Sequence, residues 1–135
     1  QVFLKAMIGL KRYEIRETSF SSWLYRIAYN EVMMFIRRKK LIRPVILDNA
    51  IICGIQYELP EYDKEALLTS LESIIKQLEE KDIELIELKY YENKSFKEIG
   101  IILGCSENAA KVRMHRLIMK LKKEVFRFQH SAGEL

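Results

Sequence analysis

Apolar residues recur at helical spacing along most of this chain, and the breaks in that spacing divide it. Val2, Phe3, Ala6 and Leu10 form one face of a short amphipathic end, loosened at Gly9. Lys11–Ser19 is polar and reads as a loop, with Ser19 placed to cap the next helix. Phe20, Trp23, Leu24, Ile27, Ala28, Val32, Phe35 and Ile36 then hold a helical period over Phe20–Lys40. That wide apolar face suits a helix packed among others. Leu41–Tyr62 contains Pro44, Gly54 and Pro60 and no sustained period, so it reads as a linker. A connection of that length predicts a domain boundary, although the apolar fragment Val45–Ile55 suits a segment that packs.

The second half is more regular. Leu67, Leu68, Leu71, Ile74, Ile75 and Leu78 predict a helix over Glu65–Leu78. Asp82 is placed to cap another, carried by Ile83, Ile86 and Tyr90 to about Tyr91. Ser95 and Glu98 have the spacing of a capping box, and Phe96, Ile99 and Leu103 share the face of the helix that follows. Gly104-Cys105-Ser106 interrupts it: Gly104 accommodates the positive φ that ends a helix, and Ser106 can cap the next. Ala110, Met114, Leu117 and Leu121 then make a second apolar stripe. Two helices joined by a short turn containing Gly form a helix-turn-helix, whose second helix enters a major groove. Asn108, Lys111, Val112 and His115 point away from its apolar stripe and are free to meet base edges. The expected fold is all-α, with two small helical domains. Residues 1–43 form the first, 44–62 a linker, 63–128 a four-helix unit ending in the helix-turn-helix, and 129–135 a tail.

Charge sharpens this division. The net charge is +4 over 135 residues, but residues 1–43 carry a balance of +7, residues 56–87 of −7 and residues 107–128 of +5. Two basic blocks around an acidic one suit two separate contacts with a polyanion, since phosphate binding needs local positive patches. No apolar run approaches the ~18 residues of a membrane span. Cys53 and Cys105 lack metal or redox spacing and read as reduced thiols of a cytoplasmic protein. His115 and His130 have no carboxylate or cysteine partner at a ligand spacing, so no metal, cofactor or catalytic group is expected. The chain opens on Gln1 and on an apolar helix end, which predicts helices upstream of it.

Within Phe20–Lys40, Arg26 and Asn30 lie one turn apart, with Tyr25 and Tyr29 beside them at the same spacing. Two readings are open. The group is a polar solvent face over part-buried tyrosines, or a surface on which unstacked bases stack and are held by an amide and a cation. Arg37, Arg38, Lys39 and Lys40 close this helix; part of that run complements the helix dipole, and the excess suits phosphates.

Taken together, the chain resembles a sigma factor of bacterial RNA polymerase, of the small extracytoplasmic-function (ECF) group. FSSWLYRIAYNEVMMFIRRKK resembles the end of sigma region 2, with its W-L-Y-R-I-A-x-N core. IIKQLEEKDIELIELKYYENKSFKEIGIILGCSENAAKVRMHRLIMKLKK resembles region 4, with its E-I-x-x-x-L-G-x-S-x-x-x-x-K-x-R-x-H-R pattern. The resemblance implies that region 2 binds the clamp helices of the largest polymerase subunit and melts the −10 element. Residues 1–13 then match the tail of its core-binding helix. Lys11 and Arg12 belong to the loop that captures a flipped base, Arg26 and Asn30 to the face that holds the melted strand, and Arg37 and Arg38 to phosphate contacts. It also implies that region 4 binds the −35 element and rests on the flap of the second large subunit. Glu107, Asn108, Lys111 and Val112 are then placed near base edges, with Ser106, Arg113 and Arg116 at phosphates and His115 on the same helix. The implied partners are promoter DNA, core polymerase and an anti-sigma factor; no chemistry of its own is implied.

The sequence departs from the family pattern in two places of the motif. Gly100 stands where alanine is usual and Ala110 where valine is common, and each is expected to weaken packing slightly. Asn108 and Val112 differ from common family choices, so no promoter sequence carries over. Two readings compete, a stand-alone helix-turn-helix regulator and a protein-interaction module captured mainly by an anti-sigma partner, and both leave WLYRIAYN and the first basic run unexplained.

Overall fold

The structure is a computed structural model, and it describes residues 1–10, 13, 20–39 and 47–132. Seven α-helices run through them: α1 (Val2–Gly9), α2 (Phe20–Lys39), α3 (Asn49–Glu58), α4 (Lys64–Ile74), α5 (Glu80–Ile86), α6 (Phe96–Leu103) and α7 (Glu107–Ala132). A 3-10 turn at Ile75–Gln77 extends α4, and a π-helical turn at Glu87–Tyr91 extends α5. There is no strand among the described residues, so the fold is all-α as expected. No described helix is long and apolar enough to cross a membrane. The expected N-cap Ser19 and the last basic residue of the first block, Lys40, lie outside the described residues.

The chain forms two compact units. One holds the described residues of Gln1–Pro44 together with Phe96–Ala110; the other holds those of Val45–Ser95 together with Lys111–Leu135. In the first unit, α1 and α6 both pack on α2. Ala6 is the buried residue of α1. The expectation that Phe3 and Leu10 also face inward is corrected: Phe3 is 79% exposed and Leu10 50%. α1 packs on α2, and its small residue Ala6 is buried while Phe3, Leu4, Met7 and Ile8 project outward. Lys5 on α1 pairs with Glu31 on α2. Ser22 and Met33 are the buried residues of α2, and Ile99, Gly100 and Ile102 those of α6.

The second unit corrects the reading of 44–62. Asn49–Glu58 is a helix, not a featureless connection. The Asp48 carboxylate accepts a hydrogen bond from the Ala50 amide at 2.7 Å, and this N-cap starts α3. Ile51, Ile55 and Leu59, at i, i+4 and i+8, are buried with Ile52, so the segment is part of a core. Pro60 follows it, and the preceding Leu59 has left the helical region, with φ −123° and ψ 64°. α3 packs on α4 and on the π turn. α4 begins at Asp63, which accepts from the Ala66 amide at 2.7 Å, and it buries Leu67, Ser70, Leu71 and Ile74. Ser70 is fully buried: its hydroxyl donates to the Ala66 carbonyl and accepts from Gln129 Nε2, each at 2.8 Å. That polar link fastens the far end of α7 to α4. The N-cap of α5 is Glu79, without a side-chain cap bond, so Asp82 does not cap; it pairs with Lys120 instead.

Candidate nucleic-acid interface

The turn that positions the last helix is tightly determined. Gly104 has a φ of +75°, where a side chain is costly, and so ends α6. The Cys105 amide donates to the Gly100 carbonyl at 2.7 Å. Ser106 Oγ accepts from the Ala109 amide at 3.0 Å, which satisfies one of the unpaired donors that open α7. Gly100 corrects the expectation of weaker packing. A Cβ added there meets the Cys105 carbonyl oxygen at 2.6 Å, Ser106 C at 3.1 Å and Glu107 N at 3.2 Å. The turn closes directly over Gly100, so glycine is what the fit requires.

α7 buries Ala110, Met114, Leu117, Leu121 and Val125, the expected stripe extended by one residue. The helix itself continues to Ala132, into the segment 129–135 expected to be a tail. Ser106, Glu107, Asn108, Lys111, Val112, Arg113, His115 and Arg116 are all exposed. They lie on the turn and the first three turns of one unbroken helix, so the motif brings the expected base and phosphate groups onto one element. Three ion pairs lie farther along it: Lys120–Asp82 at 3.3 Å, Lys122–Glu61 at 3.2 Å and Arg127–Glu124 at 3.3 Å.

On α2, Arg26 and Asn30 are exposed one turn apart. The rings of Tyr25 and Tyr29 stack beside them with centroids 6.4 Å apart, each ring part-buried. Arg37, Arg38 and Lys39 are exposed in the last turn. Lys11 and Arg12 lie outside the described residues. An aromatic cluster stands at the start of α2, joining Tyr13, from the stretch read as polar, to Phe20 and Trp23 of the apolar face. Tyr13 lies 5.6 Å from Phe20 and 5.0 Å from Trp23, and Phe20 lies 5.4 Å from Trp23. The Phe20/Trp23 spacing is visible in sequence, but the return of Tyr13 across the loop is not. No group of three potential metal ligands occurs among the described residues.

Two family patterns match the chain, sigma-70 region 2 over residues 1–42 and sigma-70 region 4 over residues 68–121. The chain is 36% identical to RNA polymerase sigma factor SigZ of Bacillus subtilis, over 90% of this chain and 67% of that protein. It is 32% identical to ECF RNA polymerase sigma factor SigW of the same organism, over 93% of this chain and 72% of that protein. RNA polymerase sigma factor YlaC is 28% identical over 91% of this chain. No solved structure matches. The two patterns in this order, carrying the α2 helix and the α6–α7 motif respectively, show that the chain belongs to the ECF group of the sigma-70 family of RNA polymerase sigma factors.

Proposed function

We propose a division of labour by which this sigma factor directs core RNA polymerase to promoters. α2 holds the melted −10 strand, and the amino-terminal half of α7 binds the −35 duplex. The observation that carries this is the exposure of matched chemistry on two separate helices. Arg26 and Asn30 stand beside stacked tyrosines on α2, and Asn108, Lys111, Val112, Arg113, His115 and Arg116 stand on α7. Unstacked bases bind aromatic faces with an amide and a cation at hand. A duplex binds a helix whose exposed cations reach phosphates while its crest meets base edges.

Each residue then has a role. Arg26 and Asn30 hold non-template bases, with Lys11 and Arg12, which precede α2 in sequence, meeting the same strand. Arg37 and Arg38 take the phosphates of the same strand. Ser106, Arg113 and Arg116 take phosphates of the −35 duplex, and Glu107, Asn108 and Val112 meet its bases, with Lys111 and His115 alongside. Region 2 docks on the clamp helices of the largest polymerase subunit and region 4 on the flap of the second. An anti-sigma factor restrains the chain, and the chain acts in the cytoplasm with its polymerase. The chemistry of transcription is the polymerase's.

Run-off transcription with core polymerase on genomic DNA tests the reading. Promoter-specific starts are expected with the wild-type chain. The double variant R26A/N30A is expected to bind core polymerase and lose promoter opening, read by permanganate reactivity of unpaired thymines. Normal opening by that variant would show that α2 does not hold the strand.

A further inference from the structure

The crest of α7 differs chemically from its flanks. A helix with 3.6 residues per turn advances about 100° per residue, so the direction opposite the buried stripe Ala110, Met114, Leu117, Leu121 and Val125 falls on Val112. Asn108 and Arg116 lie about 40° to either side of that line, and Lys111 and Arg113 about 100° to either side. Cations thus flank a leading edge whose first two members are an amide and a branched apolar side chain. Val112 is 40% exposed there, although every other valine, leucine and isoleucine of α7 is less so. A β-branched residue is a mediocre helix former, and Val112 is the least buried of the branched apolar residues of α7. The capped turn at Gly104–Ser106 fixes where this crest begins.

We propose that this crest selects two A·T base pairs, a reading that rests on the assignment of α7 to the −35 duplex. Asn108 reads adenine in the major groove: its Oδ1 accepts from the N6 amino group and its Nδ2 donates to N7. Val112 meets the C5-methyl of a thymine, the one apolar group that the major groove presents. Four residues of helix rise about 6 Å, and a base step rises about 3.4 Å, so the two pairs are about two steps apart. Lys111 and Arg113, on the flanks, address phosphates on opposite walls of the groove and carry affinity without base preference. This places Lys111 away from the base edges.

The test uses holoenzyme assembled from core polymerase and this chain, on a promoter first located by run-off transcription. Within its −35 element, each adenine is replaced in turn by 7-deazaadenine, which lacks the N7 acceptor, and each thymine by uracil, which lacks the methyl group. One 7-deazaadenine position is expected to weaken wild-type binding about tenfold and to have no further effect on N108A. One uracil position about two steps away is expected to weaken wild-type binding severalfold and to have no further effect on V112A. K111A is expected to weaken binding to every duplex alike and to lower its salt dependence. If no replacement weakens wild-type binding, or if both penalties persist in the variants, the crest does not read these groups and the proposal fails. Absence of any promoter-specific start in the first step would instead overturn the assignment of α7 to promoter DNA, and the proposal with it.

Discussion

Replacing Gly100 by alanine sets two physical effects against each other, and the structure says which is larger. Inside a helix, alanine is favoured over glycine by about 0.5–1 kcal/mol. Against this, the new Cβ would stand 2.6 Å from the Cys105 carbonyl oxygen, while ordinary contact begins near 3.4 Å. The gap of about 0.8 Å has to come from backbone, because all three close atoms belong to the backbone of residues 105–107 and no rotamer change relieves them. Forcing one methyl group into a packed site costs about 1–3 kcal/mol. The Cys105 amide bond to the Gly100 carbonyl, at 2.7 Å, spans the same gap and is stretched by the same movement. G100A is therefore expected to destabilise the fold by about 1–2 kcal/mol net, a fall of about 3–8 °C in Tm for a chain of this size. Thermal unfolding followed by circular dichroism measures it. The displaced turn also shifts the Ser106 cap, so −35 binding by the folded variant should fall beyond what the stability loss explains. A variant more stable than wild type would mean that helix propensity outweighs the clash and that the turn gives way easily.

Three further substitutions separate local from core effects. S106A removes the hydroxyl that accepts from the Ala109 amide at 3.0 Å and is expected to cost about 1 kcal/mol in urea unfolding, with S106D retaining most of it. I55A truncates a fully buried residue of α3 and is expected to cost about 2–5 kcal/mol; a cost near zero would mean that α3 is not part of the core. Burial, aided by the nearby Glu58 carboxylate, pushes the Tyr90 hydroxyl up from 10.0 to about 12. The unfolded chain ionises at the ordinary value while the folded chain keeps its proton. That contribution to stability is therefore intact below pH 10 and is lost as pH rises from 10 through about 12. Y90F should lack this part of the alkaline loss, and parallel urea titrations of both proteins from pH 9 to 11.5 would reveal any failure to do so.

The elements that periodicity located are those in which one stripe dominates a long segment. α2, α4 and α7 each run eleven residues or more with one face apolar, so sequence alone sets where each begins to within a residue or two. α3 escapes for a physical reason. It has only ten residues, its run is apolar on most sides, and Gly54 stands in its middle with a proline on either side of the segment. Nothing local distinguishes such a run from a connection; the burial of Ile51, Ile55 and Leu59 depends on neighbours far along the chain. The extent of α7 escapes likewise, because Val125 and the Gln129–Ser70 hydrogen bond hold its last turns from another helix. Gly100 is visible in sequence as a departure from pattern, but the sign of its effect is not, because the carbonyl that forbids a side chain there arrives through the turn's three-dimensional path. The exposed residues of α2 and α7 were legible because i, i+4 spacing already fixes which groups share a helical face.

The acidic block has a part in the proposed DNA register. α7 has 26 residues and is about 39 Å long, several times the ~12 Å width of a major groove. Its cations continue to Arg127, so charge count alone favours no end of the helix. Asp82 and Glu61 alter that balance: they pair with Lys120 and Lys122, both in the distal half and within the same compact unit. Such surface pairs add little stability, but each places a negative charge beside a positive one and cancels its field at distances beyond the pair. Arg113 and Arg116 stand exposed nearer the amino-terminal end of the helix, on the side of the Gly104 turn. D82N and E61Q together should therefore raise non-specific duplex affinity while lowering the ratio of promoter to random DNA binding, read by competition at fixed salt. If that ratio is unchanged, the acidic residues do not set which end of α7 approaches the duplex, and the capped turn does so alone.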